Sequence, residues 1–479
     1  MEILFVILYV SLLLIFGVIG RIRSVSNTLD DFYLGSRSLG FFVLFFTLYA
    51  TQYSGNTLVG YVAKAYRSGF IVIMSVTFMV SVIGAYLIYA PKLFKLSRQY
   101  KFITFGDFIE YRFKSKFLVI FAAVITVFAL GSFILTNLKA LGYIAVVTSD
   151  GKISFALAII FFCIIMLIYE SLGGMRSVAW TDTMQGILLL AGSIAIFALV
   201  YYSYGSIDKT AAYIAKHKPQ LWVAPDMSDK FTWLSTIIIV FFGASTYPHA
   251  IQRIYAAKNL SSLKRSLQFM AFIPFFTTLL IIIVGISTIE HFTGLNKEES
   301  EKVVLLLLDD ITSRTPSAKW LILLYIAAII SAIMSTVDSA LLSISSIIVK
   351  DIYGNFQTKR SESYLTYAGK VTSWIIMAII AYVAIAYSYT IWRLFEMKLE
   401  ILCQLAPLLF LAIHNKWIKS SSIIYGLIVG IIITMLLTFL PDFYSSFSNR
   451  PFGIHAGVWG LIFNFLIVVI LSKLEIKNK

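Results

Sequence analysis

Apolar runs of helix length, broken by short polar connectors, set the pattern of this chain throughout. Thirteen such spans are read, roughly at 2–20, 39–62, 69–91, 117–146, 153–170, 183–203, 231–249, 267–288, 319–349, 370–389, 392–413, 421–440 and 453–472. About 20 apolar residues, rising 1.5 Å each, cross a hydrocarbon layer of about 30 Å, so the pattern predicts an all-α polytopic membrane protein. Nearly every residue belongs to a span or a short connector, which leaves no stretch for a separate soluble domain. An odd number of spans puts the two termini on opposite sides. The first run, 3–20, follows no basic segment and has no A-x-A-like site, so it reads as a retained helix.

Three spans carry polar residues where lipid would reject them. The stretch Ala327–Lys350 is apolar and helix-length, yet it holds Ser331, Ser335, Thr336, Asp338 and Ser339. At about 100° per residue, Ala332, Ser335, Thr336 and Ser339 share one face, spaced i, i+3, i+4, i+7. That face could offer hydroxyl and carbonyl oxygens to a small hard cation, and a carboxylate at this depth must meet a partner or a cavity. The second span contains Ala50-Thr51-Gln52-Tyr53-Ser54-Gly55-Asn56-Thr57, and the seventh contains Gly243-Ala244-Ser245-Thr246-Tyr247-Pro248-His249. A lipid-facing helix cannot sustain either, so each is buried or interrupted. The two lie five spans apart, at the first position of successive five-helix blocks. Such paired interruptions point to an inverted-repeat transporter with a midplane site, where unwound carbonyls hold a cation and half-helix N-termini an anion. The blander alternative is that Pro248 and the glycines only kink packed helices.

Smaller polar clusters stay open to two readings. Lys139, in Thr136-Asn137-Leu138-Lys139, could snorkel to the surface. It could instead face a central cavity, pair with Asp338 or bind a substrate carboxylate. Gly173-Gly174 reads as a tight turn, and Asp182 as a charge opening the helix that follows. Glu396, Lys398, Glu400 and Gln404 form a further cluster, either an external rim or a deeper site.

Composition agrees with the pattern: 59% of the 479 residues are hydrophobic and 13% charged. The net charge of +15 would suggest nucleic acid in a soluble protein, but here the basic residues mark cytoplasmic loops, and no nucleic-acid partner is expected. Assigning loops alternately gives 24 Lys and Arg on one side and 14 on the other, with Lys139 inside a span. The positive-inside rule then places the N-terminus outside and the C-terminus in the cytoplasm. Cys163 and Cys403 both sit in apolar runs and cannot frame disulfides or a metal site. No nucleophile–base pair or metal cluster can be assembled from the His, Cys and Ser spacing, which argues against an enzyme.

Four motifs in order, Asp31-Phe32-Tyr33-Leu34-Gly35-Ser36-Arg37-Ser38-Leu39-Gly40, the core Ala50–Thr57, Gly173–Gln185 and Ser331–Tyr353, carry a resemblance. On thirteen spans the chain resembles the sodium/solute symporter family, which includes proline, pantothenate, sialic acid, inositol and sugar transporters. The likeness runs from about residue 30 to 440. It implies the leucine-transporter-type fold of two inverted five-helix repeats, about 13 transmembrane helices and symport by alternating access. The divisions would be a peripheral segment 1–30, repeats at 31–203 and 204–413, and two peripheral helices at 414–479.

The resemblance also implies site residues. A main Na⁺ site would use the carbonyls of Ala50, Tyr53 and Ala332 with the hydroxyls of Ser335 and Thr336. A second would draw on Asp182, Ser335, Asp338 and Ser339, although Asp338 departs from the serine of that pattern. Substrate, a small organic solute such as an amino acid, organic anion, sialic acid, vitamin or sugar, would meet Gln52, Ser54, Asn56, Thr57, Asn137 and Lys139. The expected setting is the cell membrane, with Na⁺, solute and the lipid bilayer as partners and the monomer as the working unit. Two alternatives remain: proton coupling through Asp338 or Lys139, and a membrane sensor that keeps the fold without transport.

Overall fold

The computed structural model describes residues 2–24, 26–149, 151–356, 360–387, 391–443 and 450–477. The long elements are α1 (Glu2–Ile22), α2 (Phe41–Gln52), α3 (Tyr61–Ser68), α4 (Val76–Tyr100), α5 (Lys116–Thr148), α6 (Phe155–Tyr204), α7 (Met227–Gly243), α8 (Pro248–Ala256), α9 (Leu260–His291), α10 (Lys319–Ser346), α11 (Glu362–Ala386), α12 (Ile391–Leu402), α13 (Ser420–Phe443) and α14 (Ala456–Lys477). Among the described residues, nine helices are long and apolar enough to cross a membrane, and the shorter apolar helices Ile7–Ile22 and Phe41–Gln52 add to them. Helix dominates because a chain inside hydrocarbon must satisfy its own backbone hydrogen bonds.

Helix α10 lies at the centre. Every residue from Ser331 to Ile347 is buried, and 72% of the most apolar window of this span is covered by protein, against 28% for α11. A helix hydrophobic all round and also buried all round can keep polar side chains only by pairing them. Ser331 meets the Tyr9 hydroxyl of α1 at 3.0 Å, and Asp338 accepts a hydrogen bond from the Tyr169 hydroxyl of α6.

Both polar spans are interrupted. After α2, Tyr53 is extended at φ −98°, ψ 122°, and a wide turn over Asn56–Gly60 leads into α3. After α7, a short turn at Ala244–Thr246 and the extended Tyr247 precede Pro248, whose fixed φ suits the first position of α8. The start of α2 and the end of α8 are tied together. Leu39 donates to the Ala256 carbonyl at 3.1 Å, and Lys258 donates back to Leu39 at 2.8 Å. Arg98 of α4 clamps this junction through the carbonyls of Arg37 at 3.1 Å and Lys258 at 2.8 Å. Because the beginning of one interrupted span meets the end of the other, they cross in opposite directions, as inverted repeats require.

At the Gly173-Gly174 pair α6 is two helices meeting at a break, with Gly174 at φ 53°, ψ −136°, and the second helix is already under way at Asp182. Asp182 therefore lies well inside a helix and does not open one. Only glycine accepts that backbone geometry readily. A Cβ at 174 would also collide with the Phe32 carbonyl of the short helix Leu29–Leu34. That short helix holds Asp31, which accepts from Ser24 at 2.6 Å and Ser36 at 2.5 Å and pairs with Arg176 at 2.8 Å. Burial works against the Asp31 charge, but these donors outweigh it and hold the carboxyl below its ordinary range. The Asp31–Gly40 segment thus braces the α6 break against the start of α2.

Gly174→Ala is expected to lower the melting temperature of the purified protein, with a strain cost of about 1–3 kcal/mol before the clash with Phe32 is added. Gly131→Ala, at a position with no heavy atom within 4 Å of the added Cβ, should leave it unchanged or raise it slightly. Thermal unfolding in one detergent compares the two.

Candidate ion and solute site

The unwound carbonyls of the second span face the hydroxyl side of α10. Ser335 Oγ donates to the Ala50 carbonyl at 3.0 Å and lies 3.3 Å from the Ala332 carbonyl. Thr336 Oγ1 lies 2.9 Å from the Tyr53 carbonyl and 2.8 Å from that of Ala332. All five residues are buried. The local cause is plain: where α2 stops, its last carbonyls lose their helical partners, and adjacent hydroxyls on α10 replace them. A hydroxyl carries two acceptor lone pairs as well as its proton. The same five oxygens can therefore turn from bonding one another to surrounding a small cation. Gly55 permits the approach, since a Cβ there would stand 2.7 Å from Ile333 of α10.

Asp182 and Ser339 meet a different group. Arg253 of α8 is fully buried and pairs with Asp182 at 2.8 Å. Its guanidinium also donates to Thr47 of α2 at 2.7 Å, to the His249 carbonyl at 2.9 Å and to the Ser339 hydroxyl. Thr47 in turn donates to Asp182. One side chain thus joins both interrupted spans to α6 and α10. By hydropathy Arg253 counts among the 24 loop charges of one side, but its charge only ends the apolar run while α8 continues, and it is buried. Asp338 sits beside this cluster, taking hydrogen bonds from Tyr169 and from Ser339 at 3.2 Å. Asp338 and Lys139 form no ion pair with each other.

The candidate solute contacts divide. Gln52 donates to the Tyr86 hydroxyl of α4 at 2.8 Å. Ser54 and Thr57 are buried at the break, where the Thr57 amide bonds the Ser54 carbonyl at 2.8 Å. Asn137 of α5 accepts from the Gly55 amide at 3.3 Å and donates to the Phe133 carbonyl at 2.9 Å, which ties α5 to the broken span. The side chain of Asn56 lies outside the described part of the structure. Lys139, about 200° around α5 from Asn137, is directed elsewhere and donates to the Tyr387 carbonyl beyond α11 at 2.5 Å. Lys398, Glu400 and Gln404 are buried, so they are no external rim. Glu400 turns to His455 at 3.3 Å and Thr438 at 3.2 Å, while Gln404 bonds Thr434 at 3.1 Å and the Gly457 carbonyl at 2.9 Å. Lys398 lies over the ring of Phe133, 3.1 Å from its centroid, with Tyr247 and His249 alongside. This grouping is not readable from the sequence, where Tyr247 and His249 stand in the seventh span, Lys398 in a separate cluster and the apolar Phe133 gives no signal.

Comparison with known proteins gives the same picture. The model of the sodium:solute symporter family matches residues 32–430. A sodium/pantothenate symporter of Haemophilus influenzae is 27% identical over 376 residues, covering 76% of this chain and 74% of that protein. A sodium/proline symporter of the same organism is 25% identical over 448 residues, covering 88% and 85%. Among solved structures, a Na⁺-coupled sialic acid symporter matches with a TM-score of 0.80 at 22% identity, covering 99% of this chain and 97% of that one. A nucleobase-cation-symport-1 family transporter matches at 0.56. These likenesses identify the fold as the leucine-transporter type. Matched by the family model over most of its length, the chain belongs to the sodium:solute symporter family, and it is a Na⁺-coupled membrane transporter of a small solute, not an enzyme.

Proposed function

We propose that the coupling Na⁺ is held by the carbonyls of Ala50, Tyr53 and Ala332 and the hydroxyls of Ser335 and Thr336. The observation that carries this reading is the convergence of both hydroxyls on the unwound carbonyls, at 3.0 Å for Ser335 to Ala50 and 2.9 Å for Thr336 to Tyr53. A cation there takes oxygens from two repeats at once, so it favours the arrangement that brings α10 against the broken second span. A solute bound along the same unwound segment, by Gln52, Ser54, Thr57 and Asn137, shares that arrangement. By linkage each ligand then strengthens the other, commonly by 1–3 kcal/mol.

Asp182, Asp338 and Ser339 belong, on this reading, to a resident charge network in place of a second Na⁺ site. Arg253 supplies the positive charge there, and one Na⁺ moves per cycle. Lys139 braces α5 against the Tyr387 carbonyl at the end of α11 and stays out of solute binding. The chain crosses the membrane thirteen times, in repeats at 31–203 and 204–413, with its N-terminus outside the cell, its C-terminus in the cytoplasm and the monomer as the working unit. The basic-residue asymmetry supports that orientation, 23 against 13 once the buried Arg253 and Lys398 are taken from the two sides.

Uptake and melting experiments test these assignments. In proteoliposomes, solute uptake driven by an inward Na⁺ gradient should fall by at least about tenfold in Ser335→Ala and Thr336→Ala, about 1.4 kcal/mol each. Uptake that ignores Na⁺ and follows pH would favour proton coupling instead. Uptake should also rise with Na⁺ concentration with a Hill coefficient near one. Arg253→Gln should cost about 3–5 kcal/mol of stability by leaving Asp182 buried and unpaired. High Na⁺, but not K⁺, should restore part of that loss in a melting experiment.

A further inference from the structure

A small cleft opens where α1 ends, between the break of α6 and the first turns of α11. Arg21, Ser24, Ser26, Asn27 and Lys370 give it a polar lining. Two of these are cations from different helices. Among the described residues, exposed Arg21 bonds no acid or carbonyl, and the Lys370 ammonium meets the Phe32 ring, 5.2 Å from its centroid, but no acid. The two charges act on each other across the cleft, and like charges repel. The acids nearby are engaged within the protein. Asp31, in the lining itself, is taken by Arg176 at 2.8 Å and Ser24 at 2.6 Å, and Asp30 pairs with Arg37 at 2.6 Å. Basic residues at a membrane face are ordinarily solvated by water, and what flanks this pair sets it apart. Val18 on α1, one turn from Arg21, is exposed and apolar, as is the adjacent Ile22. On α11, Tyr367 and Trp374 lie one turn either side of Lys370 and are also exposed. Both helices rest on α6: Gly17 lies against Tyr169 with no room for a Cβ, and the Trp374 indole donates to Ser171 at 3.1 Å. In a bilayer such residues face acyl chains, with Trp and Tyr settling at headgroup level. The surface therefore runs from an apolar stripe through aromatic rings to two uncompensated cations.

We propose that this surface holds one anionic phospholipid, its phosphate between Arg21 and Lys370 and its acyl chains along α1 and α11 over α6. Charge complementarity selects the headgroup, since basic pockets between membrane helices attract anionic lipid. Ser26 and Asn27, exposed at the rim, add hydroxyl and amide donors for phosphate oxygens. The apolar stripe selects a lipid over a free anion, which would leave Val18, Ile22 and Trp374 unused. A lipid seated there bridges α1, outside both proposed repeats, to α11 across the break at Gly174. On the orientation proposed above it belongs to the cytoplasmic leaflet. The site is independent of the cation seam and of the solute, so it stands or falls apart from them.

The test measures the melting temperature of the purified full-length protein in detergent as short-chain phosphatidylglycerol is added. Phosphatidylcholine of the same chain length and inorganic phosphate are added in parallel. Ligand binding raises the melting temperature by mass action. Phosphatidylglycerol should stabilise, and the zwitterionic lipid and the phosphate should not. Arg21→Gln and Lys370→Gln should each raise the concentration needed for half the shift by about fivefold, and the double variant by about twenty-five-fold. Lys370→Arg should keep most of the response. Lys95→Gln, which removes an exposed cation of α4 from the same end of the bundle, should keep all of it. If Lys370→Gln does not fold, Arg21→Gln, at an exposed position, carries the test alone. No shift from phosphatidylglycerol, an equal shift from phosphatidylcholine or from phosphate, or an equal loss in Lys95→Gln would each overturn the proposal. So would an unaltered response in Arg21→Gln.

Discussion

An unwound helix inside a membrane leaves carbonyls that lipid cannot solvate, and the structure turns on how those of the second span are met. Ser335 and Thr336 meet them from α10, and Asn137 meets the Gly55 amide from α5. The break is held because two helices supply partners at once. Each partner is a hydroxyl or amide whose alternative is an unsatisfied group costing on the order of 1–3 kcal/mol. Those bonds are also replaceable, since a cation of the right size satisfies the same oxygens. A seam that must be filled, and that two occupants can fill, is suited to coupling.

Arg253 shows the other way of managing charge in this setting. Its guanidinium offers five donors in a rigid fork, and here it reaches Asp182, Thr47, Ser339 and the His249 carbonyl. On the proposed reading, this fixed positive charge stands where a second Na⁺ would otherwise sit. Each charge moved across 100 mV contributes about 2.3 kcal/mol, so the number of ions sets how steeply solute can be concentrated. The proposal for Arg253 thus bears on one quantity, the charge carried per cycle.

Much of the fold was legible in the sequence because hydrocarbon imposes strong local rules. Apolar runs mark helices, and polar, glycine or proline residues inside them mark breaks, as at 50–57 and 243–249. The i, i+3, i+4, i+7 spacing placed Ser335 and Thr336 on one face without knowledge of their partners. Pairings across the fold were not legible. Arg253 read as a loop charge because a hydropathy window closes at the first cation. Tyr169 and Asp338 are 169 positions apart, and nothing in either neighbourhood marks the other. Asn137 and Lys139 looked alike in a string but lie on opposite sides of their helix. The cluster of His249 with Lys398 joins helices whose adjacency only the topology decides.

The central claim, that the seam between the second span and α10 is the Na⁺ site, is tested most directly by hydrogen–deuterium exchange on the full-length protein in Na⁺ and in K⁺. Amides around 50–57 and 331–340 should gain protection together in Na⁺, with no comparable change in K⁺ and none in Ser335→Ala/Thr336→Ala. Equal exchange in the two salts, or protection confined to one of the two stretches, would contradict it.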